Sequence, residues 1–130
     1  MVPGNLRYTK THEWALLEGD VVTVGITKFA ADQLTDITYI ELPSVGKKTI
    51  AGSACGNIET VKAVSDLYSP VGGEVCAVNS GLTADAAPLT ADPYGTGWLF
   101  KLRVTGNAAD ALSGLLTPGA YQNQLESEGH

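Results

Sequence analysis

At 130 residues the chain fits one ordinary domain, which hides roughly two-thirds of the surface its unfolded form exposes, and its 44% apolar and 17% charged content marks it as folded rather than disordered. A formal charge of -6 argues against a nucleic-acid partner, because such binding relies on clustered Lys and Arg that displace counterions from phosphates. The longest apolar runs, Val21 to Ile26 and Val75 to Val78, fall far short of the ~20 residues that cross a bilayer, so no membrane segment is expected.

The opening, Met1-Val2-Pro3-Gly4-Asn5-Leu6-Arg7, lacks the basic region and apolar core of a secretory signal, which points to the cytoplasm. From Glu13 to Leu17 and from Val21 to Ile26 the residues favour strand, and Glu18-Gly19-Asp20 between them predicts a hairpin turn. Thr27 is placed to cap a short helix running to Leu34, with Phe29, Ala30 and Leu34 on its apolar side. Ile37 to Leu42 resumes a β pattern that Pro43 ends, since proline cannot donate to a ladder, and Ser44-Val45-Gly46-Lys47 is a turn. Gly52 to Asn79 predicts short antiparallel strands punctuated by Gly52, Gly56, Pro70 and Gly72-Gly73.

Ser80 to Gly97 is expected to be turn-rich, with Asp92-Pro93-Tyr94-Gly95 the clearest turn, and Trp98 to Val104 returns as a strand. Helices are expected over Ala108 to Leu116 and Ala120 to Glu128, giving a helical tail over residues 107–128 of a single domain spanning 1–130. Short strands at close spacing predict a mainly β fold, a flattened barrel or sandwich with one short helix in the N-terminal third and helices at the C-terminal end.

Chemistry-bearing clusters are scarce. Cys55 and Cys76 have no CxxC spacing and are expected to be reduced and structural. With His12 and His130 the only histidines, and neither in an HExxH helix, no metal site is predicted. There is no paired acid and base, nucleophile triad or phosphate loop, so the chain is not expected to be an enzyme.

One lysine stands apart. In Glu59-Thr60-Val61-Lys62-Ala63-Val64-Ser65-Asp66 it falls between two β-like runs, at the expected tip of a hairpin, with no neighbour to depress its pKa for Schiff-base chemistry. Such a lysine suits modification: acylation replaces a hydrated cation with a neutral amide on a long flexible stem. Taken alone, an exposed lysine is usually solvated surface.

The surrounding sequence resembles the glycine cleavage H protein family along nearly the whole chain. Tyr8-Thr9-Lys10-Thr11-His12-Glu13-Trp14 and Val24-Gly25-Ile26-Thr27 look like that family's His-Glu-Trp and Gly-Ile-Thr signatures, and Asp36-Ile37, Glu41-Leu42-Pro43 and Val45-Gly46 follow in family order. Glu59-Thr60-Val61-Lys62-Ala63 is similar to the attachment motif Glu-Ser-Val-Lys-Ala, and Ser65 to Pro70, Gly73-Glu74-Val75, Val78-Asn79, Asp92-Pro93-Tyr94-Gly95 and Gly97-Trp98-Leu99 complete the ordered set. Thr60 departs from the usual Ser but keeps its hydroxyl, and Ala91 stands where Asn is common.

The resemblance implies a barrel-sandwich hybrid of the lipoyl/biotinyl type with lipoate on Lys62, and a hairpin of Glu59, Thr60, Val61, Ala63 and Asp66 read by a lipoate-attaching ligase or transferase. It further implies a cleft of Thr11, Glu13 and Asp66 that shelters the aminomethyl-loaded arm. The implied partners are glycine decarboxylase, aminomethyltransferase and dihydrolipoyl dehydrogenase, served by a monomeric carrier. A biotinyl site (Met-Lys-Met) and a 2-oxoacid lipoyl site (Asp-Lys-Ala) fit Val61-Lys62-Ala63 less well, while a lipoate-relay paralogue with no role in glycine breakdown stays open. His12 is expected to be structural, and Trp14 and Trp98 to be core or groove walls.

Overall fold

The computed structural model describes residues 4–104 and 106–128. Strands β1 (Arg7–Tyr8), β2 (Glu13–Glu18) and β3 (Val21–Ile26) lead to helix α1 (Lys28–Asp32) and strand β4 (Ile37–Glu41). Then come β5 (Lys48–Thr49), β6 (Ala54–Thr60), β7 (Val64–Tyr68) and β8 (Gly73–Val78), helices α2 (Gly81–Ala84) and α3 (Ala87–Ala91), strand β9 (Phe100–Arg103), and helices α4 (Ala108–Ser113) and α5 (Pro118–Glu128). The strands form a six-stranded sheet, ordered β1-β2-β3-β9-β8-β5, and a three-stranded sheet, ordered β4-β6-β7. All pairings are antiparallel. The mainly β two-sheet architecture matches the barrel-sandwich expectation.

Side-chain alternation builds two apolar layers. Ala15, Val22, Val24, Phe100 and Leu102 of the large sheet meet Ile40, Ile58 and Leu67 of the small sheet in the main core. On the opposite face of the large sheet Tyr8 and Trp14 pack with Leu6 and Tyr121 in a second cluster, which α5 covers. Strand β3 is buried on both faces for this reason, Val22 and Val24 inward and Gly25 beneath Trp14.

The β2–β3 hairpin closes with Glu18 opposite Val21 and Gly19 at φ +67°, a left-handed conformation that glycine takes without strain. Thr27 caps α1 as expected, its hydroxyl accepting from Ala30 N at 3.4 Å. The helix stops at Asp32, short of Leu34, because the chain turns through Asp36 at φ +54° into β4. Ser80 to Gly97, expected to be turns, holds α2 and α3, whose buried residues Leu82 and Leu89 anchor them in the core. Helix α4 ends at Ser113 with Gly114 as its cap, and Leu116 instead exchanges backbone hydrogen bonds with Tyr8 at 3.0 and 2.8 Å. Helix α5 starts two residues before the expected Ala120, at Pro118, whose fixed φ suits a first helical position. Cys55 is buried and Cys76 half-buried, both free thiols, and burial pushes the Cys55 thiol up to about 11.

Candidate functional site

Strands β6 and β7 form the hairpin that displays Lys62. Asn57 pairs with Asp66, Ile58 with Ser65 and Glu59 with Val64, leaving Thr60 and Ala63 to bracket a two-residue loop of Val61 and Lys62. Two-residue hairpin loops usually need positive φ at one or both positions, and neither residue here adopts it. Instead the Thr60 hydroxyl closes the loop. Its Oγ1 accepts from Lys62 N at 3.3 Å and Ala63 N at 3.2 Å, while Thr60 N donates to the Ala63 carbonyl at 2.9 Å. The tip is also tied to the small sheet, because Val61 N donates to Asp36 O at 3.2 Å.

The retained hydroxyl at position 60 therefore has a mechanical purpose. Thr60→Val should speed amide hydrogen exchange at Lys62 and Ala63 and cost about 1 kcal/mol in urea denaturation, whereas Thr60→Ser should match the parent protein.

Lys62 itself is exposed and, among the described residues, makes no ion pair. Val61 and Val64, 65% and 61% exposed, flank it. The arrangement leaves a primary amine open to solvent at the end of a two-stranded arm.

Glu13 begins β2 and is a carboxyl group only 2% exposed. Burying a carboxylate is costly unless donors surround it, and three do. Thr9 Oγ1 donates to Oε1 at 2.6 Å, Thr11 Oγ1 donates to the same oxygen, and Tyr68 N donates to Oε2 at 3.3 Å. Desolvation outweighs these donors and holds the Glu13 pKa above its ordinary value.

Glu13 opens onto a cavity of about 240 Å³ bordered also by Thr11, His12, Ala30, Gln33, Ser65 and Asp66. Thr11, Glu13 and Asp66 thus border one space, reached from the β7 side of the lysine hairpin. The register refines the position of Asp66. Ser65 lies in the inward row with Ile40 and Ile58, whereas Asp66 lies in the outward row with Glu41 and Asn57 and also borders a cavity of about 370 Å³ there. Asp66 stands at the rim of the Glu13 cleft, and Ser65 and Gln33, which the sequence did not single out, lie along its wall.

Other unforeseen residues support the cleft. His12 adopts φ +72°, and its Nδ1 lies 2.7 Å from the Tyr121 hydroxyl, itself 2.6 Å from Thr27 Oγ1. The Asp92-Pro93-Tyr94-Gly95 turn holds the other side: Pro93 O accepts from Trp14 Nε1 at 3.0 Å, and the Tyr94 hydroxyl accepts from Lys28 N, at the start of α1, at 3.1 Å. Trp14 is core, as expected. Trp98 is half-buried, with the Lys101 ammonium 5.2 Å from its ring centre, and neither tryptophan borders the Glu13 cavity. Proximity in sequence signals none of these links, which join residues up to 109 positions apart.

A larger, apolar cavity of about 540 Å³ lies between Tyr68, Ser69 and Pro70, at the end of β7 away from Lys62, and Leu115 and Leu116 after α4. Among the described residues no cluster of three or more His, Cys, Asp or Glu is arranged to hold a metal ion.

The sequence model of the family described as glycine cleavage H-protein matches residues 6–128. The glycine cleavage system H protein of Thermobifida fusca strain YX is 50% identical over 128 residues, covering 98% of each chain. That of Rubrobacter xylanophilus is 49% identical over 127 residues, covering 98% of this chain and 97% of its own. A crystal structure of a glycine cleavage system H protein from Mycobacterium marinum superposes with a TM-score of 0.83 at 37% identity, covering 98% of this chain and 99% of that one. An exposed hairpin lysine, a neighbouring cleft with a buried carboxyl group and end-to-end similarity agree: the chain belongs to the glycine cleavage H-protein family and is a non-catalytic lipoyl carrier.

Proposed function

We propose that the Lys62 amine carries a lipoyl group as an amide and that the chain presents it in turn to glycine decarboxylase, aminomethyltransferase and dihydrolipoyl dehydrogenase. The single observation that supports this most is the placement of an exposed lysine at a two-residue loop whose geometry is closed by Thr60. The residues fit the group: the amine is open to solvent and the adjoining cavity is bordered by Glu13 and Asp66. When attached, the dithiolane supplies a sulfur that accepts the aminomethyl carbon and a dithiol that is reoxidised afterwards.

The chain contributes tethering, orientation and shelter. Covalent attachment raises the local concentration of the arm at each docked partner to the order of mM. Glu59, Thr60, Val61, Ala63 and Asp66 form the surface offered to the lipoate-attaching ligase or transferase, with Thr60 setting the loop. Thr11, Glu13 and Asp66 receive the protonated amine of the loaded arm, the buried carboxylate of Glu13 pairing with it and its three donors fixing the orientation of the carboxylate. The net charge of -6 steers basic surfaces of the partner enzymes, a rate effect that salt weakens. The carrier acts as one domain and as a monomer. The free thiols of Cys55 and Cys76 support a reducing, cytoplasmic setting, and no helix among the described residues is long and apolar enough to cross a membrane.

Glu13 makes this cleft sensitive to pH. Because its folded-state pKa is raised above the ordinary 4.5, the folded protein holds the Glu13 proton more tightly than the unfolded chain does. The stability from this group is fully present below the unfolded value and declines as pH rises through the folded one. Glu13→Gln should remove that decline from urea-denaturation midpoints measured between about pH 4 and pH 7, and should weaken methylammonium binding at neutral pH.

The functional test is exchange of labelled bicarbonate with the carboxyl carbon of glycine, with glycine decarboxylase present. The lipoylated chain should support exchange and the unlipoylated chain should not. A lipoylated chain that fails with an active decarboxylase would instead be a lipoate-relay protein.

A further inference from the structure

We infer that Tyr121, on the C-terminal helix α5, is a positioning residue that braces the two walls of the Glu13 cleft against each other. One wall comes from the segment entering β2, where His12 lies between Thr11 and Glu13 and all three border the cavity. The other comes from α1, whose Ala30 and C-cap Gln33 border the same cavity and whose N-cap is Thr27. The Tyr121 hydroxyl touches both walls, 2.7 Å from His12 Nδ1 and 2.6 Å from Thr27 Oγ1.

Its position is fixed independently of those contacts. Tyr121 is fully buried and stacks on Tyr8 with ring centres 4.6 Å apart and planes 6° from parallel. Gln124, one turn further along α5, donates through Nε2 to the Lys10 carbonyl at 3.0 Å, so the helix is pinned to the same β1–β2 connection. His12 needs such support, because φ +72° is a conformation that non-glycine residues seldom adopt without surrounding restraint. A backbone link completes the brace: Thr27 N donates to the His12 carbonyl at 3.0 Å. The bridge survives either protonation state of His12. A neutral ring can accept from Tyr121, a charged ring can donate to it, and the Thr27 hydroxyl takes the complementary role in each case.

The consequence is a cleft of set width, in which Glu13 stays desolvated beneath its three donors. Without the hydroxyl, the His12 turn and the α1 cap are joined by the Thr27 N to His12 O bond alone, the side-chain clamp between them is lost, and water gains access to Glu13. The other titratable side chains bordering the cavity are His12 and Asp66. The functional meaning of the brace rests on the cleft role proposed above, whereas its geometry does not.

The test uses the full chain and two variants, Tyr121→Phe, which removes only the bridging hydroxyl, and Thr27→Val, which cuts the bridge at its other end and also removes the α1 cap, with Thr27→Ser as the conservative variant. The Glu13 carboxyl is titrated by ¹³C NMR, and melting temperatures confirm that each variant is folded. Both cutting variants should lower the Glu13 pKa toward its ordinary value, because water then solvates the carboxylate, while Thr27→Ser stays at the parent value. An unchanged Glu13 titration in folded Tyr121→Phe and Thr27→Val overturns the brace. Methylammonium, added as a probe, should perturb the Glu13 resonance in the parent and bind several-fold more weakly in both cutting variants. If the titration moves but methylammonium binds none of the proteins, the brace stands and the ammonium-binding role of the cleft falls.

Discussion

Lys62→Arg is expected to abolish carrier activity completely while leaving the melting temperature unchanged. The two halves of that expectation have different physical sources. Chemically, acylation requires a neutral amine at the moment of attack, and a guanidinium remains protonated at any accessible pH, so charge is retained and reactivity is lost. Structurally, residue 62 is exposed, its side chain makes no ion pair among the described residues, and the loop is held by its own backbone N–H, which arginine also has. Surface substitutions of that kind fall within about ±0.5 kcal/mol. Bicarbonate exchange by Lys62→Arg should therefore drop to the level seen with no carrier present, at a urea midpoint matching the parent. Free lipoate should rescue it only at concentrations near mM, the effective concentration that a short tether supplies.

Gly25→Ala should produce a large loss of stability. Gly25 faces Trp14 across the β2–β3 pair, and a Cβ built there would lie 2.5 Å from Trp14 Cε2 and Cζ2. The indole has no room to yield. Trp14 is 2% exposed, its Nε1 donates to Pro93 O at 3.0 Å, and its ring sits 6.2 Å from that of Tyr94. Accommodating one methyl group means either breaking the Pro93 bond or spreading the central strands of the large sheet. Overpacking of this kind costs about 3 kcal/mol, corresponding to roughly 10 °C or more in melting temperature for a chain of this size. Because Trp14 also fixes the Asp92-to-Gly95 turn, and Tyr94 in turn caps α1, the loss should be accompanied by faster hydrogen exchange at Lys28 N.

The legible parts of the fold are those in which one local signal suffices. The β2–β3 hairpin shows in two strand-favouring runs around Glu18-Gly19-Asp20, and the Lys62 hairpin in two β-rich runs on either side of the lysine. Strands β1 and β5 have two residues each, too few for any period to register; Tyr8 is held by the neighbouring β2 and by distant Leu116, and Thr49 by Gly73 of β8. Helices α2 and α3 are short and lie among turn-forming residues, and tertiary burial of Leu82 and Leu89 decides them.

The candidate site divides in the same way. Lys62, Thr60 and Glu13 stand in recognisable local motifs. The grouping of Asp66 with Glu13 in one cleft comes from the family resemblance, and only the strand register places Asp66 at the rim and Ser65 on the inward row. The bridge from Tyr121 to His12 and Thr27 spans 109 and 94 positions and has no local trace. Nor could positive φ be foreseen at His12, since histidine, although enriched there among non-glycine residues, adopts it only seldom.

Intact mass with fragment mapping, on protein made in lipoate-replete cells that contain an active lipoate-attaching enzyme, tests the central claim most directly. Of the eight Lys and Arg residues two are arginines, Arg7 and Arg103, leaving six lysines as acceptors. The mass should rise by one lipoyl group, the fragments should place it on Lys62, and Lys62→Ala should show none. A Lys62 that stays bare, or a lipoyl group on any of the other lysines, would contradict the account.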